Sequence, residues 1–242
     1  MNKTQYPGLI PSHEHERLAA LQPYQVLGTP GQEVFNDFVS IVAKLFDMPI
    51  ALVSLVRSDD VVFIGNEGLP EALVVNREDS MCSVAILHDD LTEFRDIAAE
   101  PCALVNPFVA QEMKLGFYAG QALRTPKGLA VGSLCVMDRR PRQLTPSEGR
   151  LLKDLAQVAQ ELLRLQAALA TGFTVPDALP TRLDATVQQS LTRLATLAEL
   201  NQWEAADTEE ARQYAESRLD EARYLAQTLY RELQTVLAGV GK

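Results

Sequence analysis

A hairpin of small residues constrains the fold of this chain more than any other stretch. Residues 117–138 read FYAGQALRTPKGLAVGSLCVMD, and the turn signal at 124–128 (RTPKG) separates two runs of strand-forming residues. A buried hairpin usually fills its middle with bulky side chains, but these strands carry Ala, Gly and Ser there. The small residues predict either room for a ligand or close approach of a covering element, and the sequence leaves both interpretations open.

The second strand of this hairpin also allows a prediction about its two faces. Side chains alternate along a strand, so every second residue points the same way. One face is therefore predicted to carry Val131, Ser133 and Cys135, and the other Ala130, Gly132, Leu134 and Val136.

Helix starts and strand-like runs alternate along the first 170 residues. The segments 29–32 (TPGQ) and 145–148 (TPSE) are capping boxes, and periodic apolar residues follow each of them. Shorter helices are predicted over 14–22 and 81–87, and strands over 50–56 and 61–66. The order helix, two strands, helix, two strands, helix predicts an α+β fold in which helices cover one antiparallel sheet.

The composition changes after the long helix that begins at Pro146. Residues 171–180 contain Gly and two Pro, which predict a linker. We therefore expect a domain over 1–170 that includes the long helix, a linker over 171–181 and a helical hairpin over 182–242. The apolar stripes of that hairpin must pack on each other, on the first domain or on a second chain.

Charge and composition exclude several classes of partner. The chain has 22 Lys and Arg against 32 Asp and Glu, a net charge of −10, which argues against nucleic acid and anionic lipid as partners. No apolar run follows Lys3, so the sequence predicts no secretory signal and a cytoplasmic location. Three cysteines, Cys82, Cys102 and Cys135, are too few for a disulfide framework, and reduced thiols are expected.

Several segments together resemble a known family. They are residues 17–46, 48–56 (MPIALVSLV), 79–87 (DSMCSVAIL) and 106–145, and they match in order and spacing. From about residue 13 to 165 the chain resembles a GAF domain of the bacterial phytochrome-sensor class. The resemblance implies an antiparallel sheet of five or six strands with helices on both sides, and a small-molecule pocket over one sheet face against the small-residue hairpin.

The resemblance also directs the choice of candidate ligand-binding residues. Cys82 lies on the short helix that would cover the pocket, but Ser83 follows it where bilin-binding relatives carry histidine, so no covalent bilin is expected. The sequence does not identify any other ligand or cofactor. The candidate ligand-binding residues are Phe63, Met81, Cys82, Asp96, Asn106, Phe117, Tyr118, Ser133 and Cys135.

Metal and catalytic motifs are not evident in the sequence. His13 and His15 are two residues apart, so they point to different sides of a helix and are read as solvated first-turn residues. No nucleophile elbow and no phosphate-binding loop occurs. We therefore expect no metal site and no enzyme activity of its own.

Three functional classes stay open at this point. The first is a sensory GAF module that binds a small molecule and signals through the helix starting at Pro146. That helix would pair in a homodimeric coiled coil, and the C-terminal helices would meet a protein partner. The second is a ligand-free GAF scaffold for dimerisation. The third is a thiol-dependent reductase of the free methionine sulfoxide type, with Cys82 and Cys102 as a redox pair.

Overall fold

The fold is one antiparallel sheet between layers of helices. A computed structural model describes residues 6–27, 33–170, 189, 191–199 and 209–240. The strands are β1 (Ile50–Val56), β2 (Asp60–Glu67), β3 (Val74–Asn76), β4 (Thr92–Phe94), β5 (Phe117–Arg124) and β6 (Ala130–Asp138). The helices are α1 (Glu14–Leu21), α2 (Glu33–Leu45), α3 (Cys82–Ala85), α4 (Pro107–Glu112), α5 (Pro146–Ala170), α6 (191–199) and α7 (Glu209–Val240). Short 3-10 turns lie at Pro7–Leu9, Gln22–Leu27 and Arg77–Asp79.

The sheet order is β3-β2-β1-β6-β5-β4, with antiparallel pairing throughout. This confirms the predicted α+β class, and the strands and short helices predicted from the sequence lie within a few residues of their expected bounds. The strands β3 and β4 and the helix α4 were not predicted, because each is too short to show a periodic pattern.

Each sheet face has its own apolar core. The face covered by α2, α5, α6 and α7 is called the α5 face here, and the face covered by α3 and its neighbouring loops is called the α3 face. The sheet residues of the α5 face include Val53, Leu55, Ile64, Phe117, Leu123, Val131, Leu134 and Val136. Those of the α3 face include Leu52, Val56, Phe63, Tyr118, Ala122, Ala130, Cys135 and Met137.

The C-terminal helices complete the core of the α5 face. The buried residues Ala222, Ala226, Leu229 and Leu233 of α7 belong to the same cluster as the α5 residues, and Leu191, Leu194, Leu197 and Ala198 of α6 join them. Arg223 Nε of α7 also lies 3.0 Å from Asp154 Oδ2 of α5. The sequence left three packing partners open for the apolar stripes of these helices: each other, the first domain or a second chain. The structure packs the stripes on the first domain. The predicted linker lies outside the described residues.

The start of α5 shows the predicted capping box. The Glu148 backbone N–H donates to Thr145 Oγ1 at 3.2 Å, and the Thr145 N–H donates to Glu148 Oε2 at 2.7 Å. The predicted capping box at 29–32 lies outside the described residues, and α2 is described from Glu33 onward.

A β-bulge in β6 changes which residues share a face. Leu123 of β5 lies opposite Gly132, but Arg124 lies opposite Ala130, so Val131 is an extra residue in β6. Val131 therefore belongs to the α5 face, and Ala130 to the α3 face. The prediction from strict alternation was wrong for these two residues, because alternation holds only where the ladder is regular.

Two glycines of the small-residue hairpin are explained by close packing. A Cβ atom on Gly132 would lie 1.8 Å from the backbone oxygen of Ser54 in the neighbouring strand. A Cβ atom on Gly120 would lie 2.3 Å from Tyr118 Oη, so this glycine makes room for the tyrosine hydroxyl. At these two positions the structure therefore favours close approach of neighbouring atoms as the explanation, and not room for a ligand.

A buried ionic cluster joins α1 to the sheet. Arg17 is fully buried, and its Nη1 donates to the backbone oxygen of Val56 at 2.8 Å. The carboxylate of Glu14 pairs with Arg17 and also with Arg77, which precedes α3. Burial alone would raise the pKa of Glu14, but the hydrogen bonds and charges of the two guanidinium groups lower that pKa below its usual value.

We expect Arg17→Met to lower the free energy of unfolding by roughly 3–5 kcal/mol, because it leaves Glu14 and a strand carbonyl without their buried partner. Urea unfolding measures the change. The matched control is Arg95→Ala, which removes an exposed ion pair with Glu93 and should cost less than about 1 kcal/mol. Equal losses in the two variants would contradict this assignment.

We also expect Gly132→Ala to destabilise the protein by about 3 kcal/mol, because backbone atoms of β1 cannot move away from the new methyl group. Gly149→Ala in α5 is the control. Its methyl group would meet Leu91 at an ordinary 3.6 Å, so the higher helix propensity of alanine should stabilise the protein by up to about 1 kcal/mol. Thermal unfolding of both variants gives the sign of each change.

Candidate functional site

A narrow pocket lies between the α3 face of the sheet and the segments that cover it. Its free volume is about 50 Å³. The floor is formed by Leu52, Tyr118 and Met137 of the sheet, and Cys82 at the start of α3 forms part of the cover. The remaining lining residues are Phe63, Leu69, Ala72, Val75, Asp79, Ser80, Met81, Val105, Asn106, Met113 and Leu115.

A wider cavity of about 310 Å³ lies beside the narrow pocket. The two share the lining residues Met81, Val105 and Leu115, which therefore form a common wall. The wider cavity is more polar, because Asp96, Lys114, Arg139 and Cys102 are among its lining residues.

The structure brings most of the predicted site residues to this region. Asp96 lines the wider cavity, where its Oδ1 accepts hydrogen bonds from the backbone N–H groups of Ala98 and Ala99. Ser133 and Cys135 are fully buried on β6 next to the pocket floor. Five predicted residues line the narrow pocket: Phe63, Met81, Cys82, Asn106 and Tyr118.

Phe117 is the exception among the predicted site residues. It is fully buried on the α5 face, away from both cavities. Its neighbour Tyr118 occupies the α3 face, and consecutive strand residues point to opposite faces, so the two aromatic rings cannot line one pocket. Placing Phe117 in the site was therefore wrong.

Other residues of the site were missed in the sequence. Ser54 lies opposite Ser133 in the pairing of β1 with β6, and their Oγ atoms are 3.0 Å apart. This pairing joins segments 79 residues apart, so no local pattern indicates it. Asp79 and Ser80 could have been predicted as pocket residues, because they directly precede Met81 and Cys82 in the sequence.

The Tyr118 hydroxyl lies at the pocket floor. Within the described part of the chain, no group makes a hydrogen bond to its Oη in suitable geometry, and the side chain is fully buried. Burial raises the pKa of Tyr118 well above its ordinary value, and the nearby Cys82 and Cys135 raise it further. The hydroxyl therefore keeps its proton and is available as a donor.

Two thiols meet beside this hydroxyl. Cys82 Sγ lies 3.8 Å from Cys135 Sγ, and both side chains are buried. A hydrogen bond from the Cys135 thiol is the main cause that lowers the pKa of Cys82 to about 6, although burial alone would raise that pKa. Hydrogen bonds from the hydroxyls of Ser133, Ser54 and Ser80 contribute to this lowering. The same hydrogen bond and burial raise the pKa of Cys135 well above its usual value.

Cys102 is the third cysteine, and it is half-buried among the residues that line the wider cavity. The structure therefore pairs Cys82 with Cys135, and Cys102 is not the neighbour that the redox-pair hypothesis assigned to Cys82. Among the residues that are described, no group of three or more His, Cys, Asp or Glu suits a metal ion. In the same ranges, no helix combines the length and apolarity needed to cross a membrane.

Two of the solved structures to which this chain is similar are GAF domains. The GAF domain of an Acinetobacter phosphoenolpyruvate-protein phosphotransferase is 13% identical, with a TM-score of 0.47, over 65% of this chain and 97% of that one. The second GAF domain of DevS from Mycobacterium smegmatis is 15% identical, with a TM-score of 0.43, over 56% of this chain and 94% of that one.

Sequence comparisons identify the family. A cyclic di-GMP phosphodiesterase of Pseudomonas aeruginosa is 33% identical over 164 residues, which cover 67% of this chain and 27% of that protein. The match thus spans about a quarter of the relative's length. The family profile described as GAF domain matches residues 30–163, more than half of the chain. The chain therefore belongs to the GAF domain family.

Proposed function

We propose that this GAF protein is a sensory module that binds a small molecule in the narrow pocket and passes the change to α5 and α7. The observation that carries the proposal is the buried Tyr118 hydroxyl at the pocket floor, which has no hydrogen bond of good geometry within the described residues, although Ser133, Cys82 and Cys135 lie near it. Leaving such a group unpaired costs about 1–3 kcal/mol, so natural proteins rarely retain one without a reason.

The chemistry of the pocket favours a particular kind of ligand. Most of its lining side chains are apolar, and the Tyr118 hydroxyl offers one hydrogen-bond donor among them. At the covering side, Asn106 Nδ2 donates to Asp79 Oδ1 at 3.0 Å, which adds a polar edge. A small heterocyclic molecule with one acceptor atom fits this combination.

Such a ligand needs more room than the narrow pocket offers. Free space of about 50 Å³ holds little more than a water molecule or two, whereas ligand pockets usually enclose about 300–1,000 Å³. The wall formed by Met81, Val105 and Leu115 separates this space from the cavity of about 310 Å³. Because methionine side chains adapt easily, we propose that Met81 moves and joins the two spaces.

Strand β5 offers a route from the pocket to the helices. It presents Tyr118 to the pocket and Phe117 to the core that contains α5. A shift of this strand on ligand binding would change the packing of α5, which is packed along α7. Signalling of this kind requires two arrangements of the helices with different affinity for the ligand.

We propose that the output is a binding event at the helices, made with a second copy of the chain or with a partner protein. On α7, Tyr214 and Tyr224 are exposed large side chains suited to such contacts. The phosphodiesterase relative suggests cyclic di-GMP signalling as the setting.

A ligand-free scaffold is the second candidate function. The small free volume of the narrow pocket favours it, because a pocket filled by its own side chains needs no ligand for stability. The two candidates differ in how the protein responds to small molecules, since a ligand that binds only the folded state raises the melting temperature.

We expect Tyr118→Phe to stabilise the protein by about 1 kcal/mol, because it removes a buried unpaired hydroxyl and retains the ring. The same variant should lose its response to ligands. Thermal unfolding is followed with increasing pyridine, imidazole or indole, and at least one of these should raise the melting temperature of the original protein but not that of the variant.

Tyr24→Phe is the matched control, because Tyr24 is buried in the α5-face core away from the pocket. This variant should keep the ligand response of the original protein. If no heterocycle shifts any melting temperature and native mass spectrometry of the purified protein shows no bound small molecule, the scaffold function is favoured instead.

A further inference from the structure

We infer that Cys82 and Cys135 form a dithiol that a small hydroperoxide, such as hydrogen peroxide, oxidises to a disulfide. The redox-pair hypothesis joined Cys82 to Cys102, and no reaction has been assigned to Cys82 together with Cys135. The inference goes beyond the ligand-binding proposal and does not depend on it, because it concerns the thiols and not a molecule bound above them.

The geometry brings the two sulfur atoms into contact. Their Sγ atoms are 3.8 Å apart, whereas a disulfide bond is about 2.05 Å long. Cys82 is the first residue of α3, a helix of four residues, and Cys135 lies in a central strand of the sheet. The sulfurs must therefore approach each other before they bond, and we propose that Cys82 and the short helix α3 move towards Cys135.

Access assigns different roles to the two thiols. Cys82 lines the narrow pocket, whereas Cys135 is fully buried and is not among the pocket-lining residues. Hydrogen peroxide is only slightly larger than water, so the free volume of about 50 Å³ admits it. The oxidant therefore meets Cys82 first, and Cys135 is placed to resolve the oxidised product.

The surroundings prepare Cys82 as a nucleophile. A donated hydrogen bond from Cys135, supported by nearby serine hydroxyls, favours the Cys82 thiolate against the effect of burial. Cys135 keeps its proton, because its pKa is raised. Tyr118 also stays protonated, and its hydroxyl lies close enough to both sulfurs to interact with them electrostatically.

The reaction takes two steps and consumes one peroxide. The Cys82 thiolate attacks one peroxide oxygen, the O–O bond breaks, and the departing hydroxide takes up the proton that the Cys82 thiol released on ionising and leaves as water. Cys82 is then a sulfenic acid. The Cys135 thiol gives up its proton and attacks the Cys82 sulfur, the S–O bond breaks, and a second water leaves as the disulfide forms. Two thiols are oxidised, and the peroxide is reduced to two waters.

The disulfide would link the cover of the narrow pocket to its floor. Cys82 belongs to the covering helix and Cys135 to the sheet beneath it. The oxidised protein should therefore melt at a higher temperature than the reduced one, because the bond constrains the unfolded chain.

The direct test is to treat the full chain with hydrogen peroxide, block remaining thiols with iodoacetamide under denaturing conditions and map peptides without reduction. We expect a Cys82–Cys135 cross-link and the loss of two hydrogen atoms in the intact mass. Cys102→Ser is the matched control, and it should form the same cross-link. No cross-link between residues 82 and 135, or one between Cys82 and Cys102, would overturn the inference.

Variants separate the roles of the two thiols. In Cys135→Ser the sulfenic acid at Cys82 should persist and be trapped by dimedone that is added together with denaturant after the peroxide, whereas Cys82→Ser should give no adduct at Cys135. Cys135→Ala and Cys82→Ala provide the same comparison if a buried serine prevents folding. Dimedone labelling of Cys135 in place of Cys82 would reverse the assigned order and overturn it.

The pH dependence gives an independent readout. The rate at which Cys82 reacts with peroxide should rise with pH and reach half its maximum near pH 6, because the thiolate reacts and the pKa of Cys82 is lowered to about 6. A half-maximum near pH 9, the value of an ordinary thiol, would contradict an activated Cys82.

Discussion

The half-buried carboxylate of Glu14 holds together two parts of the molecule that are far apart in the chain. It pairs with Arg17, whose guanidinium reaches a carbonyl of the central strand β1, and with Arg77, which begins the turn before α3. Removing the two guanidinium groups from water is costly, and their pairing with Glu14 and with backbone carbonyls offsets this cost. The turn that precedes the helix covering the pocket is therefore anchored to the same carboxylate as the N-terminal helix.

The β5–β6 hairpin lets one sheet serve two purposes. On the α5 face it supplies bulky residues, among them Phe117 and Leu134, to a core that extends to α7. On the α3 face it supplies small and reactive side chains, with Gly120 giving space to the Tyr118 hydroxyl. The bulge at Val131 sends that residue into the helical core and leaves Ser133 and Cys135 beside the pocket. The same two strands, β5 and β6, thus contact both the pocket and the core that contains the helices.

The sequence predicts the parts of this structure that depend on neighbours in the chain. The Thr145 capping box, the hairpin turn and the GAF-type sheet all follow from local signals or from the matched segments. The pairing of Ser54 with Ser133 and the contact of Cys82 with Cys135 depend on the register between distant strands and on the placement of α3, which no local pattern encodes. Phe117 and Val131 were misplaced for the same reason. Placing Phe117 requires knowing which sheet face it points to, and placing Val131 requires knowing where the bulge in β6 lies.

The wall that separates the narrow pocket from the wider cavity has a consequence for sensitivity. If a ligand enters only molecules in which Met81, Val105 and Leu115 have moved apart, its apparent dissociation constant is the intrinsic one divided by the fraction of open molecules. The wall then sets the concentration at which the protein responds, and the contacts to the ligand set which molecule it responds to. Because these three residues also line the pocket, detection threshold and selectivity would be coupled, and a change in one during evolution would change the other as well.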